Sequence, residues 1–275
     1  MSDHQEIDLR FGGREQAICC HRIGDVLVDP GPQSCSATLL DALDGWKPKA
    51  IALTHIHLDH AGATGTLLRD WPSTEVWVHE RGARHMADPE KLIASARQIY
   101  AERMDELWGE IAPVPQENLV VLEGGESRNG FEVKYTPGHA KHHVSYLHHD
   151  SGIVFAGDTA GVRIGDGPVI PPTPPPDIDL EQWKSSVQIL RDFKPSALAI
   201  AHFGTYTDVD RHLDDMDAAI GHWGDLAREV DAAEFERQMI EAIPGNRPYT
   251  LAMPTATLHA GLARYWEKRV QDPLN

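Results

Sequence analysis

Short apolar runs separated by turn residues make up the first third of the chain. Two of them, AICCHRI and DVLVDPG, flank Gly24-Asp25, and this arrangement predicts a β-hairpin. The apolar run PKAIALTH predicts a buried strand that ends where a group of histidines begins. Gly62 and the residues after it then predict a helix, and EVWVH predicts another strand. Short buried strands that alternate with helices are typical of an α/β fold whose strands are covered on both faces.

Residues 88–109 carry the clearest helical pattern in the chain. Asp88 is suited to cap this helix and Pro89 to occupy its first turn. The apolar stripe is expected, with Trp108, to join the core rather than to contact a substrate; it comprises Leu92, Ile93, Ala96, Ile99, Tyr100 and Met104. Four further apolar runs predict strands: NLVVLE, FEVKYTP, HHVSYLHH and GIVFAGD.

Six of the nineteen prolines fall between residues 161 and 179, which excludes a regular helix or a central strand there. We interpret this segment as a stiffened loop, because the chain returns to a strand at SALAIAH. From about Asp208 onward the pattern is mainly helical. The expected organisation is one domain over residues 1–275, with a core over 1–207 and a mainly helical segment over 208–275.

The composition is that of an ordinary globular protein, since 41% of the 275 residues are hydrophobic and 24% are charged. A formal net charge of −17 disfavours nucleic acids and anionic membranes as partners. The N-terminus lacks a signal-peptide pattern, and no apolar run approaches the roughly 18 residues of a membrane span. Cys19, Cys20 and Cys35 are expected to be reduced structural thiols. A cytoplasmic location is therefore expected.

Side chains that bind metals are concentrated at the ends of apolar runs. The stretch THIHLDH contains four of them, namely His55, His57, Asp59 and His60. Three later runs end in TPGH, AGD and IAH, which supply His139, Asp158 and His202. Taken singly, His139 is more typical of a turn, Asp158 of a helix cap and His202 of a buried core. Their joint occurrence at strand ends nevertheless predicts a metal site, because a rigid sheet edge brings such groups together.

The motifs THIHLDHAG, TPGHA, FAGDT and AIAHFG resemble those of the metallo-β-lactamase superfamily, and VLVDPG fits its early strand. The resemblance implies a four-layer αββα sandwich, here with a helical C-terminal extension. It also implies two divalent metal ions, with zinc expected first and iron or manganese as alternatives. The ligands carried over are His55, His57 and His139 for the first metal, Asp59, His60 and His202 for the second, and Asp158 as a bridge between them.

The function implied by the resemblance is hydrolysis of an ester, thioester or lactone by a metal-bridging hydroxide. Asp59 is expected to assist proton transfer as well as to bind metal, and Tyr206 to donate to a substrate carbonyl, although a half-buried structural role for Tyr206 is the alternative. A glyoxalase II-like or lactonase-like branch is expected, but Lys141, His142 and His143 replace small residues of the glyoxalase II-like form. The alternatives are a sulfur dioxygenase with one iron and an inactive metal-binding or interaction protein.

A small-molecule substrate is expected to bind above the metals. The predicted pocket walls are the proline-rich loop at 169–176, the helix at 88–109 and the HFGTY turn. Because His142 and His143 alternate, only one of them is expected to point at the site, whereas His148 and His149 are expected to be solvated. An apolar stripe on the C-terminal helices raises the expectation of a homodimer as an alternative to packing within the chain.

Overall fold

Two sheets of six strands each form the centre of the molecule in a computed structural model, which describes residues 3–245 and 248–271. The first sheet contains, in spatial order, β1 (His4–Asp8), β2 (Cys19–Ile23), β3 (Val26–Val28), β4 (Ala50–Ala52), β5 (Glu75–His79) and β6 (Leu119–Leu122). The second sheet contains β7 (Ser127–Arg128), β8 (Phe131–Tyr135), β9 (Val144–His148), β10 (Ile153–Phe155), β11 (Ala197–Ile200) and β12 (Gly204–Tyr206), in the spatial order β12 to β7.

The pairing of the strands brings the loops that carry the predicted metal ligands to one edge of each sheet. In the first sheet the predicted hairpin joins β2 and β3, and β3, β4, β5 and β6 are parallel. The loops that follow β3, β4 and β5 therefore leave from the same edge. In the second sheet β10 is parallel to β11, and β9 is antiparallel to both β8 and β10. The chain consequently leaves β8, β10 and β11 at a common edge as well.

Helices cover the outer face of each sheet. In chain order they are α1 (Ser36–Leu43), α2 (Leu58–Ala61), α3 (Thr64–Leu67), α4 (Glu80–Ala87), α5 (Glu90–Tyr100), α6 (Met104–Trp108), α7 (Leu180–Asp192), α8 (Val209–Glu229), α9 (Ala232–Ala242), α10 (Tyr249–Ala252) and α11 (Thr255–Gln271). Within the described residues no helix is long and apolar enough to cross a membrane.

Three apolar clusters fill the spaces between the four layers. Trp77, Phe131, Tyr146 and Phe155 are buried between the sheets. The outer face of the first sheet packs with α1, α5 and α6, and the outer face of the second sheet packs with α7, α8 and the helices that follow. Strands that are apolar on both faces require this double cover. The predicted four-layer αββα sandwich with a helical C-terminal extension is confirmed.

The helix predicted over 88–109 is interrupted in the structure. It ends at Tyr100, because Ala101 adopts a φ of 46°, and it resumes as α6 after a single 3₁₀ turn. The break lets Trp108 lie against Phe11 and Tyr100, at ring-centroid distances of 5.5 and 4.9 Å.

The beginning of α5 also differs from the prediction. Pro89 occupies the cap position, one residue before the first turn, and no side chain caps the helix. Asp88 still accepts a hydrogen bond from the Glu90 N–H at 3.3 Å. Three short edge strands, β1, β7 and β12, were not predicted. The helix predicted after Gly62 is α3, and the additional helix α2 begins inside the histidine group. Residues 246–247 and 272–275 of the predicted helical segment lie outside the described residues.

Candidate metal centre

Seven side chains meet where the common edges of the two sheets face each other. They are the seven predicted ligands: His55, His57, Asp59, His60, His139, Asp158 and His202. The loop after β4 and the short helix α2 carry the first four, and the ends of β8, β10 and β11 lead to the other three. His57 and Asp59 are partly exposed, and the other five are buried. We call these seven residues the ligand cluster.

The first group of donor atoms consists of three ring nitrogens. His57 Nδ1 lies 3.0 Å from His55 Nε2 and 3.0 Å from His139 Nε2. Metal–nitrogen bonds of about 2.0–2.1 Å in tetrahedral geometry separate ligand atoms by about 3.3 Å, so these three nitrogens have the spacing of ligands to one ion.

The second group combines a carboxylate with two ring nitrogens. Asp59 Oδ2 lies 3.4 Å from His202 Nε2 and 3.8 Å from His60 Nε2. Nitrogen and carboxylate donors of this kind suit borderline and hard divalent cations.

Asp158 lies between the two groups and turns one oxygen toward each. Its Oδ2 is 3.2 Å from His139 Nε2 and 4.0 Å from His55 Nε2. Its Oδ1 is 3.4 Å from His60 Nε2 and 3.6 Å from His202 Nε2. A single carboxylate is thus positioned to contact two neighbouring cations.

Three atoms of the ligand cluster are buried without a hydrogen-bond partner among the described residues, namely His60 Nε2, His202 Nε2 and Asp158 Oδ1. An unpaired buried polar atom costs about 1–3 kcal/mol, and two nitrogens and a carboxylate oxygen with converging lone pairs are the donors that a cation requires. The residues present therefore fit a divalent metal site.

The ring nitrogens that point away from the site are held by the surrounding backbone and by one carboxylate. His139 Nδ1 donates to the Pro172 carbonyl and His202 Nδ1 to the Ala17 carbonyl, both at 2.8 Å. A proton held on Nδ1 leaves the Nε2 lone pair directed at the site, so these contacts fix the orientation and the tautomer of each ligand.

Asp29 performs the same task for His60 and was not singled out as a residue by the sequence. Its Oδ2 accepts from His60 Nδ1 at 2.9 Å and from the Thr54 hydroxyl at 2.6 Å, while its Oδ1 accepts from the Thr54 N–H at 2.8 Å. The signal was present in VLVDPG, because a carboxylate directly after β3 lies beside the loop after the parallel neighbour β4.

The electrostatics of the cluster divide its imidazoles into two kinds. Burial lowers the pKa of His55 and of His139 below the ordinary value, so both rings are neutral at pH 7. Burial acts in the same direction on His60 and His202, but the carboxylate of Asp158 and its neighbours outweigh it and raise the pKa of both rings. Burial would raise the pKa of Asp158, yet the surrounding imidazoles hold it well below its usual range.

His142 and His143 occupy different positions, as the alternation predicted. His142 lines the cavity above the metal centre, and its Nδ1 accepts weakly from the Ile56 N–H at 3.4 Å. His143 lies behind Asp158, where its Nε2 accepts from the Asp158 N–H at 3.2 Å. Gly157 makes this approach feasible, since a Cβ at that position would lie 2.7 Å from His143 Nε2.

A cavity of about 730 Å³ opens above the cluster, with His57, Asp59, His139 and Asp158 at its floor. The proline-rich loop and the 88–109 region line it, as predicted. Ile99, Tyr100 and Trp108 line this cavity. Trp108 also belongs to the buried core and Tyr100 packs against it, as expected, whereas Ile99 is exposed. Met104 is buried in the core and does not line the cavity. The segment near residues 252–258, from the end of α10 into the first turn of α11, forms a further wall that the sequence did not indicate.

Tyr206 and the rest of the HFGTY turn do not line this cavity. The Tyr206 hydroxyl donates to the Arg163 carbonyl at 2.5 Å, and its ring lies 4.3 Å from the Arg163 guanidinium carbon. The predicted wall is thus wrong, and Tyr206 is not brought to the position of a donor to substrate. The strand β12 explains the difference, because pairing with β11 directs Tyr206 away from the metal centre.

The two histidines expected in solvent differ. His149 is exposed, but His148 is half-buried, with its Nδ1 3.0 Å from the Ser151 hydroxyl and its ring against Phe131. Neither lines the cavity.

The model of the family described as the metallo-beta-lactamase superfamily matches residues 21–202. The metallo-beta-lactamase fold-containing protein ST1585 of Sulfurisphaera tokodaii is 31% identical over 210 residues, which cover 72% of this chain and 77% of that protein. The crystal structure of ST1585 from Sulfolobus tokodaii superposes with a TM-score of 0.68 at 26% identity, and it covers 94% of this chain and 98% of the other.

Two further matches differ in what they share with this chain. A metallo-beta-lactamase family protein of Thermus thermophilus, TTHA1429, superposes with a TM-score of 0.71 at 19% identity over 98% of this chain and 94% of the other, which is a likeness of fold. The hydroxyacylglutathione hydrolase of Xanthomonas campestris is 29% identical over 164 residues, which are 59% of this chain and 51% of that enzyme. The chain therefore matches only about half the length of that enzyme.

Proposed function

Because this chain belongs to the metallo-β-lactamase superfamily, we propose that it is a dinuclear metal-dependent hydrolase of carboxylic esters, thioesters or lactones. The observation that carries the proposal is the position of Asp158, whose two oxygens face two separate groups of ligand atoms. Zinc is the first metal to test, with iron and manganese as alternatives. A small molecule is the proposed substrate, since a cavity of about 730 Å³ falls within the usual range for small-molecule sites.

Two bound divalent ions would supply a nucleophile from water near neutral pH and would polarise a carbonyl group. The protein's own residues supply position and proton transfer. Asp158 and the imidazoles hold their lone pairs toward the ions, and the Nδ1 contacts of His60, His139 and His202 keep these rings from turning. Asp59 lies at the cavity floor, where its carboxylate is close enough to pass a proton to a leaving group.

The complete second group of ligand atoms supports two metals rather than one. A dioxygenase with a single iron would leave Asp59, His60 and His202 without a ligand role, although they converge with an unpaired nitrogen on each histidine. The same observation counts against an interaction protein that holds no metal, since such a protein would gain nothing from unpaired buried donors.

The test is metal analysis of the purified protein together with assays on p-nitrophenyl esters, thioesters and homoserine lactones. The proposal expects about two ions per chain and turnover of at least one substrate class, with both reduced in Asp158→Ala. Asp150→Ala is the matched control, because this carboxylate lies in an exposed turn far from the cluster. One iron per chain, oxygen consumption with a persulfide and no hydrolysis would overturn the hydrolase and favour the dioxygenase.

A further inference from the structure

Unpaired cations lie at the mouth of the cavity, although the protein as a whole has a formal net charge of −17. Arg81, Arg84 and Lys91 line the cavity and are exposed at its outer side. None of the three forms an ion pair with a carboxylate within residues 3–245 and 248–271. We call these three residues the mouth cations.

Other charged groups line the cavity without neutralising this cluster. Lys141 lies 3.7 Å from Asp177, so that these two charges offset each other. Glu80 offsets one of the mouth cations at most, and Asp59 and Asp158 face the metal centre. An excess of positive charge therefore remains at the mouth.

The mouth cations are held by rigid elements rather than by a loose loop. Arg81 and Arg84 are on α4, which follows β5 at the active edge and is capped by the His79 side chain. This helix packs closely against the site, since a Cβ at Gly82 would lie 2.9 Å from Ile56 Cγ2. With one face of α4 buried against the sandwich, Arg84 lies on the part of the helix that lines the cavity. Its Nε donates to His85 Nε2 at 3.1 Å.

Lys91, in the first turn of α5, completes the cluster. Burial lowers the pKa of His85, and the charges of Arg84 and Lys91 lower it further, which agrees with their closeness in space. Asp88 acts on the pKa of His85 in the opposite direction, so it offsets part of this positive charge. Like charges held close together repel one another, and a bound anion would relieve the repulsion that remains.

Between the mouth and the metals the cavity is lined mainly by apolar side chains. Leu92, Ala96 and Ile99 contribute from α5, and Pro174, Met253 and Leu258 contribute from the facing segments. A ligand that reaches from the floor to the mouth must therefore be apolar in its middle part.

From this order of metal centre, apolar wall and mouth cations we infer that the substrate is an amphipathic ester or thioester. Its cleavable bond reaches the metals, and a terminal anionic group, a phosphate or carboxylate, binds Arg81, Arg84 and Lys91. The inference rests on the proposed function for the cleavable bond, but the anion site is defined by the mouth cations alone. Arg84 contacts His85 and Arg81 lies over the Tyr135 ring, so an uncharged ester would leave the mouth cations without an anionic partner. A cationic substrate would be repelled by them.

The kinetic test compares three esters of p-nitrophenol with the same eight-carbon acyl chain, ending in methyl (octanoate), carboxylate (mono-suberate) or phosphonate (8-phosphonooctanoate). The metal-loaded wild type is expected to favour one or both anionic esters by about tenfold or more in kcat/KM, and added salt should reduce this preference. A larger preference for the phosphonate identifies a phosphate-like terminus, and a larger preference for the suberate identifies a carboxylate. Equal rates for all three esters would overturn the inference.

Charge-neutralising variants locate the preference. Arg84→Gln/Lys91→Gln should bring the three esters to within about threefold of one another, mainly through KM, because a charge-assisted contact is lost at each residue. The matched control is Arg97→Gln/Lys184→Gln, which removes two charges outside the cavity and should retain the preference. A preference that survives the mouth double variant would overturn the inference.

A binding experiment separates this inference from the proposed function. Suberanilate and octananilide carry an amide in place of the ester, and calorimetry on the metal-loaded protein measures their affinity without turnover. Tighter binding of suberanilate that is lost in Arg84→Gln/Lys91→Gln supports the anion site even if no ester is hydrolysed. Suberanilate binding that persists in that variant but disappears in Asp158→Ala would seat the carboxylate on the metals and overturn the inference.

Discussion

The ligand cluster and the cavity wall above it are built in different ways. In the cluster, most ligands are buried, and His139, His202 and His60 each have their second ring nitrogen bound to a carbonyl or to Asp29. The wall comes from α4, α5, the proline-rich loop and residues 252–258, which are far apart in sequence and partly exposed. The candidate metal ligands are thus anchored to sheet edges, whereas the proposed substrate-binding surface is assembled from helices and loops outside the sheets.

The physical basis of this contrast is the number of constraints on each side chain. A ligand must present one lone pair at an approximately fixed distance from an ion, so its rotamer and tautomer are set by contacts on its far side. A wall residue needs only to offer apolar surface or charge of the right sign, and many arrangements meet that requirement.

The largest loss of activity is expected at Asp158, because no other side chain of the ligand cluster can take its place between the two groups of ligand atoms. Among the described residues, Asp158 is the one carboxylate that faces both groups of ligands, so in Asp158→Ala turnover should be abolished and metal content should fall from about two ions per chain toward one. Elemental analysis and the ester panel measure both quantities. Full activity in this variant would disprove the dinuclear proposal.

One step farther from the metals, Asp29→Ala should weaken metal affinity by about 10- to 100-fold, because His60 loses the acceptor that fixes its orientation. Competition with a chromogenic chelator measures the loss. Asp25→Ala is the control, since Asp25 is an exposed carboxylate of the same hairpin. Unchanged metal affinity in Asp29→Ala would show that the hydrogen bond from His60 to Asp29 does not fix the orientation of His60 for metal binding.

The support beneath His202 offers a test of stability rather than of affinity. Arg163 is buried, pairs through both terminal nitrogens with Asp208, and its backbone N–H donates to the His202 carbonyl at 2.7 Å. Asp208→Ala should lower the free energy of unfolding by about 1–3 kcal/mol, because the buried guanidinium loses its main acceptor. Urea denaturation measures this change. Asp217→Ala, on the exposed face of α8, should have little effect, and an equal loss in both variants would contradict the assignment.

On the cavity wall the expected effects are smaller and depend on the substrate. Ile99→Ala removes partly exposed apolar surface, so kcat/KM for p-nitrophenyl octanoate should fall by about fivefold while the acetate ester is unaffected. Val121→Ala removes a comparably exposed side chain outside the cavity and serves as the control. If kcat/KM fell equally for the octanoate and acetate esters, Ile99 would influence the ligand cluster and not the binding of the acyl chain.

The smallest effect is expected at His148. This residue contacts Ser151 and Phe131 and belongs to neither region, so His148→Ala should leave kcat/KM within about twofold of the wild type. A large loss in steady-state assays would mean that the turn after β9 influences the metal centre.

The strands that lead to the candidate ligands, and the seven candidate residues themselves, could be predicted from the sequence, because both are local properties. An apolar run that ends in His or Asp predicts a strand with that residue at the edge of the sheet, as in THIHLDH and IAH. The resemblance in these motifs then supplied the partition of ligands between two metals, with which the positions of the two Asp158 oxygens agree.

Two walls of the cavity became evident only from the packing of remote elements. Arg84 and the segment near residues 252–258 reach the cavity because α4 and the C-terminal helices pack against the sandwich, and no local pattern encodes that contact. Tyr206 was misassigned for the same reason, since β12 paired with β11 and turned its side chain toward Arg163. Residue type and strand pattern can be read from the local sequence. Contacts between remote side chains depend instead on how whole helices and sheets pack to bury their apolar faces.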